Sequence, residues 1–159
     1  MAQMTRSTDL DGLIALGTAR ARSRRQSLTP LRTQVLAVLA AQSRPLGAYD
    51  IQRALSASKH MSPISIYRSL EFLMEIGLVH RLATQSAYVL LKRPPAENET
   101  LLCLVCRSCG EVDEVSSPAV GQTLGSTLAA ASFTPASRLM EVEGDCSDCR
   151  RRMSLSHPG

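Results

Sequence analysis

Two Cys-x-x-Cys pairs constrain this chain more than any other feature of its sequence. The first pair brackets Arg107-Ser108, the second brackets Ser147-Asp148, and 36 residues separate the two. Two such pairs supply four thiolates, the ligand set that holds Zn²⁺ tetrahedrally in closed structural sites. Because the separation exceeds that of a compact zinc ribbon, a metal here would join two distant segments of one domain. The predicted ligands of this structural zinc are Cys106, Cys109, Cys146 and Cys149.

Disulfides and a thioredoxin-like redox pair are the alternative interpretations of these cysteines. The redox motif requires its Cys-x-x-Cys beside a βαβ pattern, which neither pair has. The N-terminal residues lack the apolar core of a secretion signal, and the longest apolar runs are too short to span a bilayer. We therefore predict a cytoplasmic protein without a membrane partner, and in that compartment cysteines favour metal over disulfide.

The charge is distributed unevenly along the chain. The net charge is +4, but residues 1–93 carry 13 Lys and Arg against 5 Asp and Glu, whereas residues 94–159 carry 5 against 9. A basic half joined to an acidic half predicts that one end meets a polyanion such as DNA. A basic surface that is merely solvated is the alternative.

The first half contains the start and stop signals of several helices, followed by a change to strand periodicity. Three successive helices and a β-hairpin predict a winged helix-turn-helix, whose last helix lies in the major groove of DNA. The signals are Thr8 as the cap of a first helix, Thr29-Pro30 and Ser62-Pro63 as helix starts, Gly77 as a helix stop, and strands over 78–82 and 88–91.

The run Lys92-Arg93-Pro94-Pro95 is the predicted domain boundary, because two prolines stiffen the chain and interrupt strand pairing. The predicted fold class is α+β. A winged-helix domain covers residues 1–93, a hinge covers 94–95, and a small α/β domain with the four-cysteine zinc site covers 96–159. In this second domain we expect strands over 101–105, 111–115 and 138–142, a helix over 118–131 with Val120, Leu124 and Leu128 inward, and a disordered tail from Arg150.

With these parts in place, the chain resembles the ferric-uptake-regulator family, and most of all its zinc-uptake-regulator branch. The resemblance runs from about Leu28 to Cys149, and its motifs are Leu28-Thr29-Pro30-Leu31-Arg32, Ala48-Tyr49-Asp50, Ile66-Tyr67-Arg68-Ser69-Leu70-Glu71-Phe72-Leu73, Gly77-Leu78-Val79-His80-Arg81, Leu104-Val105-Cys106-Arg107-Ser108-Cys109-Gly110 and Glu143-Gly144-Asp145-Cys146-Ser147-Asp148-Cys149. It implies a homodimeric, zinc-responsive repressor of metal (zinc) uptake genes that binds an operator in double-stranded DNA, with residues 96–159 as its dimerisation and metal-binding domain. It implies neither an enzyme nor a small-molecule substrate.

The resemblance also implies which residues contact DNA. The Tyr-Arg pair of the family's recognition helix falls on Tyr67 and Arg68, and Ser65 and Arg32 complete the candidate set. An Arg can bind guanine O6 and N7 together, and a Tyr ring can pack on a thymine methyl. The alternatives are core packing for Tyr67 and a phosphate contact without sequence readout for Arg68.

A second, regulatory zinc site is implied by the resemblance, but two of its positions differ here. His80 and Glu114 are present, whereas Leu91 and Glu99 stand where a Cys and a His are expected. Our hypothesis is that Cys103 supplies the missing thiolate, so that the second Zn²⁺ of each subunit binds His80, Glu99, Cys103 and Glu114. In the alternative interpretation, Cys103 is a buried small apolar residue.

Two rival functions remain at this level. The first is a regulator of the same family that responds to iron, haem or peroxide, with Cys103 as a redox thiol. The second is a thiol oxidoreductase that uses one Cys-x-x-Cys. The sequence contains no motif of a hydrolase and no phosphate-binding glycine loop.

Overall fold

A computed structural model of the chain describes residues 9–56, 61–93, 99–137 and 139–156. The chain divides into two compact units, Met1–Pro94 and Pro95–Gly159. The mixture of helices and small sheets confirms the predicted α+β class. The hinge at 94–95 falls outside the described residues, so it stays a prediction. In the described ranges, every helix is too short or too polar to traverse a bilayer.

The first unit is built from four helices and a β-hairpin. Thr29 caps α2 by accepting a hydrogen bond from the Arg32 amide at 3.4 Å, and Gly77, with φ of 69°, follows α4 where the chain turns into the hairpin. The elements are α1 (Leu10–Ser23), α2 (Pro30–Ala40), α3 (Ala48–Ser56), α4 (Pro63–Glu75), β1 (Val79–Leu82) and β2 (Ala87–Leu90). The predicted cap of α1 was wrong: Thr8 lies outside the described residues, and Asp9 caps the helix by accepting from the Gly12 amide at 3.1 Å.

The core of this unit lies between α2, α3, α4 and the hairpin. Strands β1 and β2 pair in antiparallel fashion, from Val79 opposite Leu90 to Leu82 opposite Ala87. A bridge between Leu46 and Tyr88 adds a short third strand segment. The fully buried side chains of this core include Val35, Leu36, Ile51, Ile66, Leu70, Leu73 and Leu78. This is the predicted winged helix-turn-helix.

The second unit contains a three-stranded sheet in the order β4-β3-β5. Strand β3 pairs antiparallel with β4 and parallel with β5. A parallel pair requires a crossover connection, and α5 supplies it. The elements are β3 (Leu101–Cys106), β4 (Val112–Ser116), α5 (Pro118–Ala130), β5 (Leu139–Gly144) and α6 (Ser147–Ser156).

Two expectations for the second unit were wrong, the first only in part. The inward orientation expected for α5 holds for Leu124 and Leu128, which are half-buried, but Val120 is exposed and no residue of the helix is fully buried. The tail from Arg150 is helical as far as Ser156, since α6 starts at the second Cys-x-x-Cys and continues through it.

Candidate metal centre and nucleic-acid interface

Both cysteine pairs leave the sheet of the second unit at the same end. Cys106 is the last residue of β3, and Cys109 lies in the following turn, which Gly110 completes with φ of 75°. Cys146 follows β5, and Cys149 lies in the first turn of α6. Because β3 and β5 are parallel neighbours, their ends bring the four sulfurs together, all within 4.8 Å of one another.

The distances between the sulfurs fit zinc and not a disulfide. The Sγ atoms of Cys109 and Cys146 are 3.9 Å apart. Four sulfurs at about 2.3 Å from a tetrahedral Zn²⁺ are separated by about 3.8 Å, whereas a disulfide bond measures about 2.05 Å. All five cysteines are free thiols. Across the residues that the structure describes, no other group of three or more His, Cys, Asp or Glu side chains comes this close together.

Hydrogen bonds prepare one of the sulfurs to carry negative charge. The Cys146 amide donates to the Cys106 Sγ at 3.3 Å, and this bond, with one from the Cys109 amide, lowers the pKa of Cys106 to about 6. The Cys149 thiol has its pKa raised to about 12, first by its hydrogen bond with Cys146 and then by burial. A bound cation would relieve this crowding of sulfurs, since metal ligation stabilises the thiolate form.

The two cysteine loops also meet through polar side chains. The Arg107 Nη2 donates to an oxygen of Asp145 at 2.9 Å, and the Ser108 hydroxyl donates to the other oxygen at 2.6 Å. The Arg107 guanidinium, followed by the Ser108 hydroxyl, holds the pKa of the Asp145 carboxyl below its usual value. Each of these residues is adjacent to a predicted zinc ligand.

In the first unit, α4 presents one polar face to solvent. Tyr67 is 41% exposed and Arg68 is also exposed, while Ser65 is half-buried. Ile66 and Leu70 are buried on the other side of the helix. The alternative in which Tyr67 packs into the core does not match this placement, and the Tyr-Arg pair is accessible to a ligand.

Arg32, the remaining candidate DNA contact, is oriented by its surroundings. Its guanidinium carbon lies 3.4 Å from the centroid of the Phe72 ring, a cation–π geometry, and its Nη1 donates to the Ser27 carbonyl at 2.6 Å. Because Phe72 belongs to α4, this contact keeps the half-buried Arg32 side chain beside the same helix that carries Tyr67.

Comparison with known proteins decides the family. A sequence model of the ferric uptake regulator family matches residues 24–143, about three quarters of the chain. This chain belongs to the ferric uptake regulator family. The zinc uptake regulation protein of Escherichia coli K12 is 30% identical to this family member over 132 residues, which are 82% of the chain and 77% of the relative.

Solved structures of zinc uptake regulators resemble this family member along almost its whole length. A structure described as a zinc uptake regulator complexed with zinc and DNA is 28% identical, covers 92% of this chain and 99% of its own, and gives a TM-score of 0.80. The crystal structure of holo XcZur is also 28% identical, with 89% and 99% coverage and a TM-score of 0.76.

The candidate regulatory residues of this chain fall in both units. Cys103 on β3 is fully buried and lies opposite Glu114 on β4, which is also buried. The Glu99 carboxylate accepts a hydrogen bond from the Ser116 hydroxyl. Within the second unit, Glu99, Cys103 and Glu114 do not form a cluster as tight as that of the four thiols. His80 lies on β1 of the first unit, opposite Val89.

Sequence reasoning missed two features of this family member. The first is the contact of Arg107 and Ser108 with Asp145. The sequence offered a partial signal for it, because Arg107 and Asp145 carry opposite charges and each adjoins a cysteine predicted to bind the same metal. Glu141 lies beside Cys103 in the β3–β5 register, opposite the side occupied by Glu114. The sequence offered no signal for it, since that register depends on how α5 returns the chain to the sheet.

Proposed function

We propose that this member of the family is a zinc-responsive, homodimeric DNA-binding protein that represses metal (zinc) uptake genes. The observation that carries the proposal is its likeness, over 92% of the chain and with a TM-score of 0.80, to a zinc uptake regulator complexed with zinc and DNA. In this function the protein acts in the cytoplasm on an operator in double-stranded DNA. It binds its partners and does not transform them.

A structural zinc ion is held by Cys106, Cys109, Cys146 and Cys149. The convergence of the four sulfurs and the 3.9 Å separation of two of them support this ligand set. When bound, the ion neutralises thiolates and cross-links the β3–β4 turn to the start of α6. Structural zinc contributes about 10–16 kcal/mol of folding free energy in zinc-finger peptides, so the second unit depends on this cross-link.

DNA is read by the exposed face of α4. Placed in the major groove, Arg68 binds a guanine edge, and the ring of Tyr67 packs against a thymine methyl group. Ser65 and Arg32 complete the contact surface, where Arg32 is oriented by the Phe72 ring. The 13 Lys and Arg residues among positions 1–93 supply attraction to phosphate without sequence specificity.

A second copy of the chain covers the apolar face of the second unit. One face of the sheet and α5 together expose a continuous apolar surface around a groove of about 430 Å³. In the described part of the chain, strand β5 is an edge of the three-stranded sheet, and edge strands are common sites of pairing with another chain. Exposed apolar patches of this kind mark interfaces between proteins. The exposed residues are Leu104, Val115, Val120, Met140 and Val142.

The regulatory zinc binds His80, Glu99, Cys103 and Glu114, and its occupancy increases affinity for the operator by ordering the DNA-binding unit of each subunit. The opposition of Cys103 and Glu114 in the sheet supports two of these ligands. Replacing Cys103 by Ser reduces the zinc content from two ions per subunit to one and abolishes the zinc dependence of DNA binding. A Cys103→Ser protein with unchanged stoichiometry would refute the second site and leave the structural site standing.

Metal content and DNA affinity test the whole proposal. Native mass spectrometry of the purified protein gives bound zinc, and fluorescence anisotropy with operator DNA at fixed salt gives affinity with and without Zn²⁺. We expect zinc in every subunit and tighter operator binding with added zinc. A response to iron, haem or peroxide instead would assign a different signal, and disulfide-reductase turnover without stoichiometric zinc would assign the oxidoreductase function.

A further inference from the structure

The two cysteine loops are joined by a contact that does not involve the metal, the interloop clasp formed by Arg107, Ser108 and Asp145. The Arg107 guanidinium donates to Asp145 through Nη2 at 2.9 Å and through Nε at 3.3 Å, and the Ser108 hydroxyl donates to Asp145 Oδ1 at 2.6 Å. Arg107 and Ser108 separate the cysteines of the first pair, and Asp145 directly precedes Cys146. The clasp therefore bridges the two segments that the zinc also bridges.

The clasp begins where the β-ladder ends. The last register pair of β3 and β5 is Cys106 opposite Gly144, and the Arg107 amide donates to the Gly144 carbonyl at 2.9 Å. Asp145 is the first residue beyond this ladder. Beyond the ladder, the hydrogen bonds of the Asp145 side chain, and not a further backbone pair of the sheet, join the second cysteine loop to the first.

The position of Asp145 is transmitted to a sulfur through one residue. The amide of Cys146, the next residue, donates to the Sγ of Cys106 at 3.3 Å. A shift of the backbone at Asp145 by about 1 Å would take this bond beyond hydrogen-bonding distance and spread the sulfurs apart. The carboxylate is well placed to prevent such a shift, since its side chain is only 14% exposed and its bonds to Arg107 are charge-assisted.

We propose that Asp145 is a positioning residue that, through Arg107 and Ser108, holds the second cysteine pair in register with the first before zinc binds. This inference rests on the structural zinc site of the proposed function. The sulfurs then meet the ion in an arrangement close to the bound one, and less ordering is required at the moment of binding. Partners outside the ligand shell typically contribute about 10–100-fold to metal affinity, and we expect an effect of this size.

The test compares zinc affinity in matched variants of the full-length protein, measured by competition with a colorimetric zinc chelator. Asp145→Ala and Arg107→Ala are each expected to weaken zinc binding by about 10–100-fold. The double variant should bind zinc no more weakly than Asp145→Ala alone, because the two substitutions remove the same contact between Arg107 and Asp145. Asp148→Ala is the control: Asp148 also adjoins a cysteine of the second pair, but it is 56% exposed and pairs with Arg151 of its own helix.

Two further measurements separate positioning from ligation and from general stability. Co²⁺ bound to Asp145→Ala should show the same four-sulfur tetrahedral absorption spectrum as the wild type, and Asp145→Asn should restore part of the affinity because its amide oxygen still accepts from Ser108. A changed spectrum would make Asp145 a ligand and overturn the inference. If Asp145→Ala does not fold, Arg107→Ala alone carries the test, because its side chain is 71% exposed.

Zinc affinity of Asp145→Ala equal to that of Asp148→Ala would also overturn the inference, while the proposed function would stand. Wild-type protein that holds no zinc with its four thiols reduced would instead overturn the proposed function itself. The two failures are therefore distinguishable in one set of samples.

Discussion

Cys103 and Cys106 belong to the same strand, yet their surroundings shift their pKa values in opposite directions. Cys103 lies inside the sheet between Glu114 and Glu141, and burial, followed by these two carboxylates, raises its pKa to about 12. Cys106 lies at the strand end, where amide donors, that of Cys146 first, lower its pKa to about 6. The position in the sheet thus favours the protonated thiol of Cys103, whereas the amide donors at the strand end favour the thiolate of Cys106.

This difference predicts that Cys103 resists alkylation. A rise in pKa from 9.0 to about 12 reduces the thiolate fraction at pH 8 about 1000-fold, and burial blocks the reagent as well. In protein that carries only the structural zinc, we expect iodoacetamide to modify Cys103 at least about 100-fold more slowly than in the same chain unfolded in denaturant. Peptide mass spectrometry against time gives both rates, and equal rates would contradict the placement.

The same pKa shift has a consequence for stability. Because the folded pKa lies above the unfolded value, the contribution of this thiol to folding is complete below about pH 9 and is lost as pH rises towards 12. A Cys103→Ser protein should lack this loss, so the stability difference between the two proteins narrows over that window.

The exposed face of α4 predicts that Arg68 reads a base. Arg68→Ala should cost about 1–3 kcal/mol in operator binding and relax specificity at one base pair. Arg151→Ala is the matched control, since it removes the same charge from α6 in the second unit. Anisotropy titrations with operator and with scrambled DNA measure both effects. If Arg68→Ala loses the same affinity for operator as for scrambled DNA, and its binding depends less on salt than that of the wild type, Arg68 contacts only phosphate.

At the scale of elements, α1 fastens the end of the recognition helix. The Arg20 Nη1 donates to the carbonyls of Ile76 at 2.8 Å and Gly77 at 3.1 Å, immediately after α4. The last carbonyls of a helix lack partners within it, and a cation there also suits the helix dipole. Gly17 allows the close approach of α1, because a Cβ at that position would lie 2.9 Å from a methyl carbon of Leu78.

Arg20→Ala should therefore lower the free energy of unfolding of the first unit by about 1.5–3 kcal/mol, the range for hydrogen bonds to charged groups. Arg22→Ala removes an exposed arginine from the same helix and should change this free energy by less than about 0.5 kcal/mol. Urea denaturation followed by circular dichroism, with zinc present throughout, compares the two. An equal effect of both substitutions would show that charge alone, and not the contact with α4, is responsible.

Local chemistry predicted the elements of the first unit because each boundary has its own signal. Pro30 and Pro63 start α2 and α4 as expected, and Gly77 follows the end of α4. Pairs of cysteines that converge in space could likewise be predicted from their spacing. The register that places Glu141 beside Cys103 could not, because it depends on the path of the crossover.

The two errors in the second unit have different physical causes. The pattern of α5 defines an apolar face, but a pattern does not state what covers that face, and within the described chain nothing buries it fully. Helix α6 is polar almost throughout, so its sequence has no amphipathic signal. Its start is instead fixed by the turn that carries Cys146, whose carbonyl accepts from the Arg150 amide at 3.0 Å.

At the scale of the whole molecule, the second unit has little interior of its own. Among its described residues the buried apolar side chains are few, and two of them are predicted zinc ligands; they are Leu101, Cys103, Val105, Cys106 and Cys149. Small domains with so little buried surface require a metal, disulfides or a partner chain to fold. The four-thiol site can bind such a metal, and the exposed apolar face can bind such a partner chain.

The apolar face predicts that a charge at Val142 prevents dimerisation. Val142 is 45% exposed on β5 and lies beside Leu104 in the sheet, so in a dimer an Asp at this position would be buried without a partner. We expect Val142→Asp to elute as a monomer of 17.2 kDa in light scattering and to bind operator DNA more weakly. Leu155→Asp, at the most exposed large apolar residue of α6, is the control and should remain dimeric. A dimeric Val142→Asp protein would exclude this face as the interface.

Removal of zinc should unfold the second unit and spare the first. The winged-helix core contains its own set of fully buried aliphatic side chains and no zinc ligand of the four-thiol site, whereas the second unit loses the cross-link between its sheet and α6. Hydrogen exchange read by mass spectrometry after chelation should show protection lost in β3, β5 and α6 and retained in α2 and α4. Because the proposed dimer interface lies in the second unit, operator affinity should fall in parallel and return when zinc is restored. Loss of protection in both units together would mean that the winged helix depends on the metal too, and that the two units do not fold independently.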